Sequence, residues 1–147
     1  MSLRDLSIRK FRTEDARTVA KIINNSLLDA NNNDANEEVT PKFVLTLSNK
    51  RKMYVALNDD GKIVGTASID FDTIYSVFVD VHFHNQGVEE AMLKLLEEIA
   101  ANNGFGLIKL EAGINDKKLY EKLDYNTVGE LSTNEFGQCI LMEKYLL

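Results

Sequence analysis

Residues 77–96, VFVDVHFHNQGVEEAMLKLL, run from an apolar strand pattern through a bend at Gly87 into a helical pattern. The first turn of a helix leaves backbone N–H groups unpaired and carries partial positive charge. A strand feeding such an end can hold an anion, most often a phosphate. A glycine there also serves tight turning alone, so both readings stay open on these residues. Asp80 and His82 lie two apart and, on a strand, project from one face opposite Val79 and Val81. That spacing permits a proton relay and equally describes two half-exposed strand residues. His82 and His84, with one nearby Asp, lack a third and fourth ligand, so no metal is expected. Cys139, in the apolar run CILM, has no partner spacing for nucleophilic catalysis and reads as a buried small hydrophobe.

The elements that position these groups follow from periodicity, since one proline and eight glycines punctuate the chain. Residues 6–11 alternate apolar and polar, as a half-buried strand does. Thr13, Glu14 and Asp15 suit a helix start, and Ala16, Val19, Ile22, Ile23 and Leu27 recur at helical spacing. Residues 29–40, DANNNDANEEVT, read as the longest exposed loop, and Pro41 suits the first turn of a second helix. Strands are predicted over 53–57 and 63–71 around an Asn-Asp-Asp-Gly turn, then over 74–81. Val88, Ala91, Met92, Leu95, Leu96 and Ile99 form the stripe of the strongest helix, which ends at Asn102-Asn103-Gly104. A strand over 107–112, a short helix over 116–123 and strands over 127–131 and 138–145 complete the order β-α-α-β-β-β-α-β-α-β-β. The expectation is an α/β (α+β) chain: one domain over 1–147, with a mixed central sheet of about six or seven strands and about four helices.

Composition narrows the function classes. Seventeen basic against twenty-three acidic side chains give a net charge of -6, which repels phosphate backbones, so no nucleic-acid partner is expected and a cationic one is favoured. No apolar run approaches the ~20 residues needed to cross a bilayer, so no membrane association is expected. One cysteine forbids an internal disulfide and fits a reducing compartment, so a cytoplasmic location is expected.

Several strings, in this order and at this spacing, resemble the GNAT superfamily of acyl-CoA-dependent N-acetyltransferases from about Leu6 to Tyr145. They are SIRKFRTED at 7–15, MYVA at 53–56 with GKIVG at 61–65, the helix and strand over 95–110, and LYEKLDY at 119–125, which is similar to the family's LYEKLGF. The family's phosphate loop reads Arg or Gln, two residues, Gly, one residue, then Gly or Ala. Here His84 stands first, Asn85 and Gln86 follow, Gly87 matches, Val88 fills the apolar position and Glu89 replaces the small residue. The resemblance implies that backbone N–H groups from His84 to Glu90 face the pyrophosphate of acetyl-CoA. It also implies that Phe78, Val79, Asp80 and Val81 pair their backbone with the pantetheine arm.

Tyr120 matches the family's tyrosine that protonates the departing CoA thiolate, which a phenol of pKa about 10 can do. Packing of its short helix is the plainer role. Asp80, His82 and Glu111 are candidates for taking the amine's proton. The implied activity moves an acetyl group from acetyl-CoA, a cosubstrate used without metal, to a small amine or a lysine-containing substrate, by direct attack in a ternary complex. The implied state is a monomer or homodimer. The four acids of residues 29–38 would suit a cationic acceptor such as a polyamine or an aminoglycoside. Glu89 is a departure: at ~4 Å and an effective dielectric near 20, each like-charge pair with a phosphate costs roughly 4 kcal/mol. Its side chain either turns to solvent or fills the site. With His84 and with Asp124 in place of the usual glycine, Glu89 supports the alternative of a non-catalytic GNAT-fold binding module that has lost efficient CoA binding.

Overall fold

The computed structural model describes residues 6–29 and 38–146. Its elements follow in the expected order: β1 (Ser7–Lys10), α1 (Ala16–Asp29), α2 (Pro41–Lys50), β2 (Lys52–Leu57), β3 (Ile63–Asp70), β4 (Thr73–Val79), α3 (Val88–Asn102), β5 (Leu107–Gly113), α4 (Lys117–Lys122), β6 (Asn126–Asn134) and β7 (Gly137–Tyr145). Seven strands form one sheet in the order β1-β2-β3-β4-β5-β7-β6. Every neighbouring pair is antiparallel except β4–β5, which is parallel.

Local chemistry sets the helix starts. The Asp15 carboxylate accepts from the Arg12 backbone N–H at 2.8 Å and receives the Arg9 guanidinium at 2.7 and 3.0 Å, which ties β1 to the entry of α1. That contact holds the Asp15 carboxyl below its ordinary pKa and raises Arg9. Thr40 Oγ1 accepts from the Phe43 N–H at 3.1 Å with Pro41 in the first turn of α2. The side chain of Asn24 pairs both backbone groups of Val39, at 2.8 and 2.9 Å, and so fixes the chain's return toward α2.

Helices α1 and α2 bury their stripes, including Val19, Ile23, Val44 and Leu47, on one sheet face against Val55 and Phe136. Helix α3 buries Val88, Met92, Leu93 and Leu96 on the other, against Val64, Ile74, Ile108 and Leu110. A strand covered on both faces reads as a continuous apolar run, and β3 is buried from Ile63 to Ile69. Gly65 permits close approach there: a Cβ on it would stand 2.9 Å from Val88 Cγ1. The front of α3 is thereby seated against the sheet's centre.

One expectation is revised. The strand expected over 74–81 ends at Val79, and residues Val81–Phe83 form a single 3-10 turn. Most of the acidic loop of 29–38, residues 30–37, lies outside the described residues.

Candidate functional site

The only parallel pairing among the described residues is short. β4 and β5 meet at Thr73↔Lys109 and Ile74↔Leu110. Beyond Ile74 the register of β4 against β3 shifts between Thr66 and Ser68, and Ser76 takes φ 57. An extra residue of this kind bends its strand and re-aims it. The bend is held in place: Ser68 Oγ donates to the Tyr75 carbonyl at 3.0 Å and the Arg51 guanidinium donates to Ser76 Oγ at 3.1 Å. The strands therefore splay, and a cavity of about 170 Å³ opens between them. Phe78 and Val79 line it on the β4 side. The Val79 carbonyl already accepts from Ser26 Oγ of α1 at 3.0 Å.

The outer end of the cavity is the start of α3. Gly87 sits at φ 82 and Asn85 at φ 60, left-handed values that turn the chain sharply into the helix. Val88 is wholly buried, Gln86 and Gly87 are half-buried, and His84, Asn85 and Glu90 are exposed. His84 and Glu89 line the cavity. Of the two placements open to Glu89, the structure takes the inward one. Its carboxylate lies against its own backbone N–H, and burial raises its pKa, opposed by that N–H and by the nearby His84. Asp116 stands at the same mouth, open to solvent on one side and crowded by protein on the other, which raises its carboxyl too.

Tyr120, on α4, is 3% exposed, and its ring packs edge-on to Tyr125 with centroids 6.1 Å apart. The left-handed Asp124 (φ 73) ends α4 and lets the Tyr125 N–H return to the Tyr120 carbonyl at 3.0 Å. Tyr125 is anchored through its hydroxyl to Glu97 at 2.7 Å, and Glu97 also receives Lys144 at 3.0 Å. Tyr120 itself lines the cavity, and its hydroxyl makes no hydrogen bond among the described residues. Burial first, then the charges of Asp116 and Glu89, drive its pKa well above that of a free phenol. The hydroxyl thus stays protonated and available as a donor inside the cavity.

Asp80 and His82 do not share a strand face. Asp80 follows the last residue of β4 and accepts from the His82 backbone N–H at 2.9 Å. An aspartate that bonds the chain two residues on competes with strand pairing, and that bond turns the segment away. His82 is exposed, and neither residue lines the cavity. Val81 belongs to the same turn rather than to the strand.

Sequence reasoning missed the other end of the cavity. There the β6–β7 hairpin tip reaches across the sheet: Asn134 donates to Glu111 at 3.1 Å, Glu135 pairs with Arg51 at 2.8 Å, and the Phe136 ring lies 5.1 Å from Phe78. Only the Asn-Glu-Phe-Gly turn was visible as a signal, not what it touches. Cys139 is buried, as expected, and lines the cavity as well. Among the described residues no group of three His, Cys, Asp or Glu side chains could hold a metal ion, and no helix is long and apolar enough to cross a membrane.

Comparison with known proteins gives a consistent result. Residues 28–146 match the acetyltransferase (GNAT) domain. No curated protein matches the chain. Among solved structures, a GCN5-related N-acetyltransferase from Rhodopseudomonas palustris aligns with a TM-score of 0.85 at 20% identity, covering 99% of each chain. Ard1 from Thermoplasma volcanium aligns at 0.77 with 18% identity, over 97% of this chain and 99% of its own. A GNAT superfamily phosphinothricin acetyltransferase from Sinorhizobium meliloti, in complex with acetyl-CoA, aligns at 0.69 with 19% identity, over 97% and 89%.

Proposed function

Because the chain belongs to the GNAT acetyltransferase family, we propose that it transfers an acetyl group from acetyl-CoA to a primary amine by direct attack. The observation that carries the proposal is the buried Tyr120 hydroxyl, without a partner among the described residues, facing the gap between β4 and β5. The backbone N–H groups at the start of α3 would hold the diphosphate, and the open edge of β4 beyond Ile74 would hold the pantetheine amides. Acetyl-CoA, when bound, supplies the thioester. An ammonium forming an amide gives up two protons: one leaves through a carboxylate and water, and the other returns to sulfur by way of Tyr120. In bulk water a phenol this weakly acidic would part with its proton reluctantly. A thiolate forming in the same dry cavity is also strongly basic, so the two remain matched. Rate enhancement comes chiefly from placing amine and thioester side by side.

The direct test is thiol release with an accepted amine. Tyr120→Phe is expected to lower kcat by about a hundredfold with acetyl-CoA affinity unchanged by calorimetry. Unchanged turnover would remove the general-acid role.

A second reading, ligand binding without turnover, is favoured by Glu89 alone, whose inward carboxylate occupies space that a diphosphate would approach. Titration with acetyl-CoA decides between them. Micromolar binding favours the transferase, and no heat at millimolar cofactor favours the binding module.

A further inference from the structure

The inner end of the cavity bears on which amine is used. Glu111 directly follows Leu110, the last residue of β5 paired to β4, so its carboxylate stands where the two strands part. One of its oxygens is held by Asn134 at 3.1 Å, and the other has no protein partner among the described residues. The wall beside it is aromatic. Phe78 and Phe136 meet edge to face with centroids 5.1 Å apart, Phe43 backs Phe136 at 6.2 Å, and Leu27 of α1 adds an aliphatic surface. Arg51, the strong cation behind this end, is already engaged, with Glu135 at 2.8 Å and its guanidinium 4.0 Å from the centre of the Tyr75 ring. What remains at this end, among the described residues, is a carboxylate with one oxygen unbonded next to a ring-sized apolar wall.

We infer that the acceptor is a monocationic primary amine on an apolar, ring-sized body, an arylalkyl- or branched alkylamine, with its ammonium on Glu111 and its body against Phe78 and Phe136. A carboxylate–ammonium bond in a partly dry site supplies orientation, and the rings add apolar contact and cation–π attraction. A polycation would bring a second ammonium to the rings and the engaged Arg51 at this end, since the cavity's other carboxylates among the described residues, Glu89 and Asp116, stand at its outer mouth. The inference rests on the acetyl-transfer reading only for what happens to the amine once bound. In that event Glu111 accepts one proton from the ammonium, the freed amine nitrogen bonds to the acyl carbon, the carbon–sulfur bond breaks, and the second proton reaches sulfur by way of Tyr120.

The experiment compares 2-phenylethylamine, isoamylamine, spermidine and an N-acetylated lysine amide. It uses thiol release with acetyl-CoA and, independently, binding of each amine to the CoA-saturated protein by calorimetry. The two monoamines are expected to show kcat/KM at least about tenfold above spermidine. Glu111→Gln should raise their KM and Kd by a similar factor while leaving the acetyl-CoA Kd unchanged. Phe136→Leu should weaken 2-phenylethylamine more than isoamylamine, which keeps the test readable if Glu111→Gln folds poorly. Preference for spermidine or the lysine amide overturns the inference, as does monoamine binding indifferent to Glu111→Gln or absent altogether. Monoamine binding with no thiol release leaves this recognition standing and overturns acetyl transfer instead.

Discussion

At Glu89 a carboxylate lies against the first turn of its own helix, among the N–H groups that a diphosphate needs. Binding the cofactor then requires this side chain to leave or to take up a proton. The groups facing it are His84 and Glu90 from its own segment and Asp116 and Tyr120 from the α4 side. Because burial raises its pKa, acetyl-CoA affinity is expected to increase as pH falls through that raised value. Glu89→Gln is expected to tighten binding about tenfold near neutral pH and to flatten the pH profile, both measurable by calorimetry in buffers of different ionisation heat. Stability follows two opposite signs. The raised carboxyls of Glu89 and Asp116 favour the fold at acidic pH, and that contribution is lost as pH rises through their folded values. Asp15 does the reverse: its lowered pKa stabilises the fold above the ordinary carboxylate range and is lost as pH falls through the folded value. Asp15→Asn should cost about 1–2 kcal/mol at pH 7, a difference that shrinks in urea titrations as pH falls through the lowered folded value. The bend at Gly87 was legible because a glycine turn into a helix is a local pattern, whereas Tyr120 was singled out only by the resemblance of LYEKLDY to the family's string. Sequence could not choose the direction of Glu89, which depends on a cavity built by residues far along the chain.

Among the elements, the β6–β7 hairpin tip decides the acceptor end. Asn134 both holds Glu111 and accepts from the Phe136 N–H at 2.8 Å, so one side chain sets a carboxylate and a ring together. Asn134→Ala is expected to raise amine KM severalfold, to leave acetyl-CoA affinity unchanged, and to cost about 1 kcal/mol of stability for the lost hydrogen bonds. Thermal melts beside steady-state kinetics would check this. Helices with clear stripes, such as α3, and strands bounded by turn residues, such as β2 and β3, were legible because periodicity is local. The end of β4 was not, because apolar Val81 and Phe83 continue the strand pattern while a single side-chain bond from Asp80 turns the backbone aside. The cross-sheet partners of Asn134, Glu135 and Phe136 were invisible for a different reason. They are set by strand order, which places β7 between β5 and β6.

For the whole molecule, the central sheet has a weak seam. Four strands, β1 to β4, and three strands, β5, β7 and β6, are joined through two residue pairs of β4 and β5 and are otherwise bridged by packed helices and the hairpin tip. A ligand lying in the gap would contribute to stability by mass action. At a hundredfold excess over Kd, acetyl-CoA is expected to add about 2.7 kcal/mol, or roughly 5–10 °C in Tm for a chain of this size, read by scanning calorimetry. Hydrogen exchange offers a finer view: the amides of β4 beyond Ile74 that face the gap should exchange quickly in the free protein and slow with cofactor, while those of β3 stay slow in both. The mechanical meaning of the seam is that the pantetheine arm would act as an eighth rung laid between two plates hinged at one corner. Each turnover would then stiffen the frame on loading and slacken it when CoA departs, so product escape and relaxation of the scaffold would be one event.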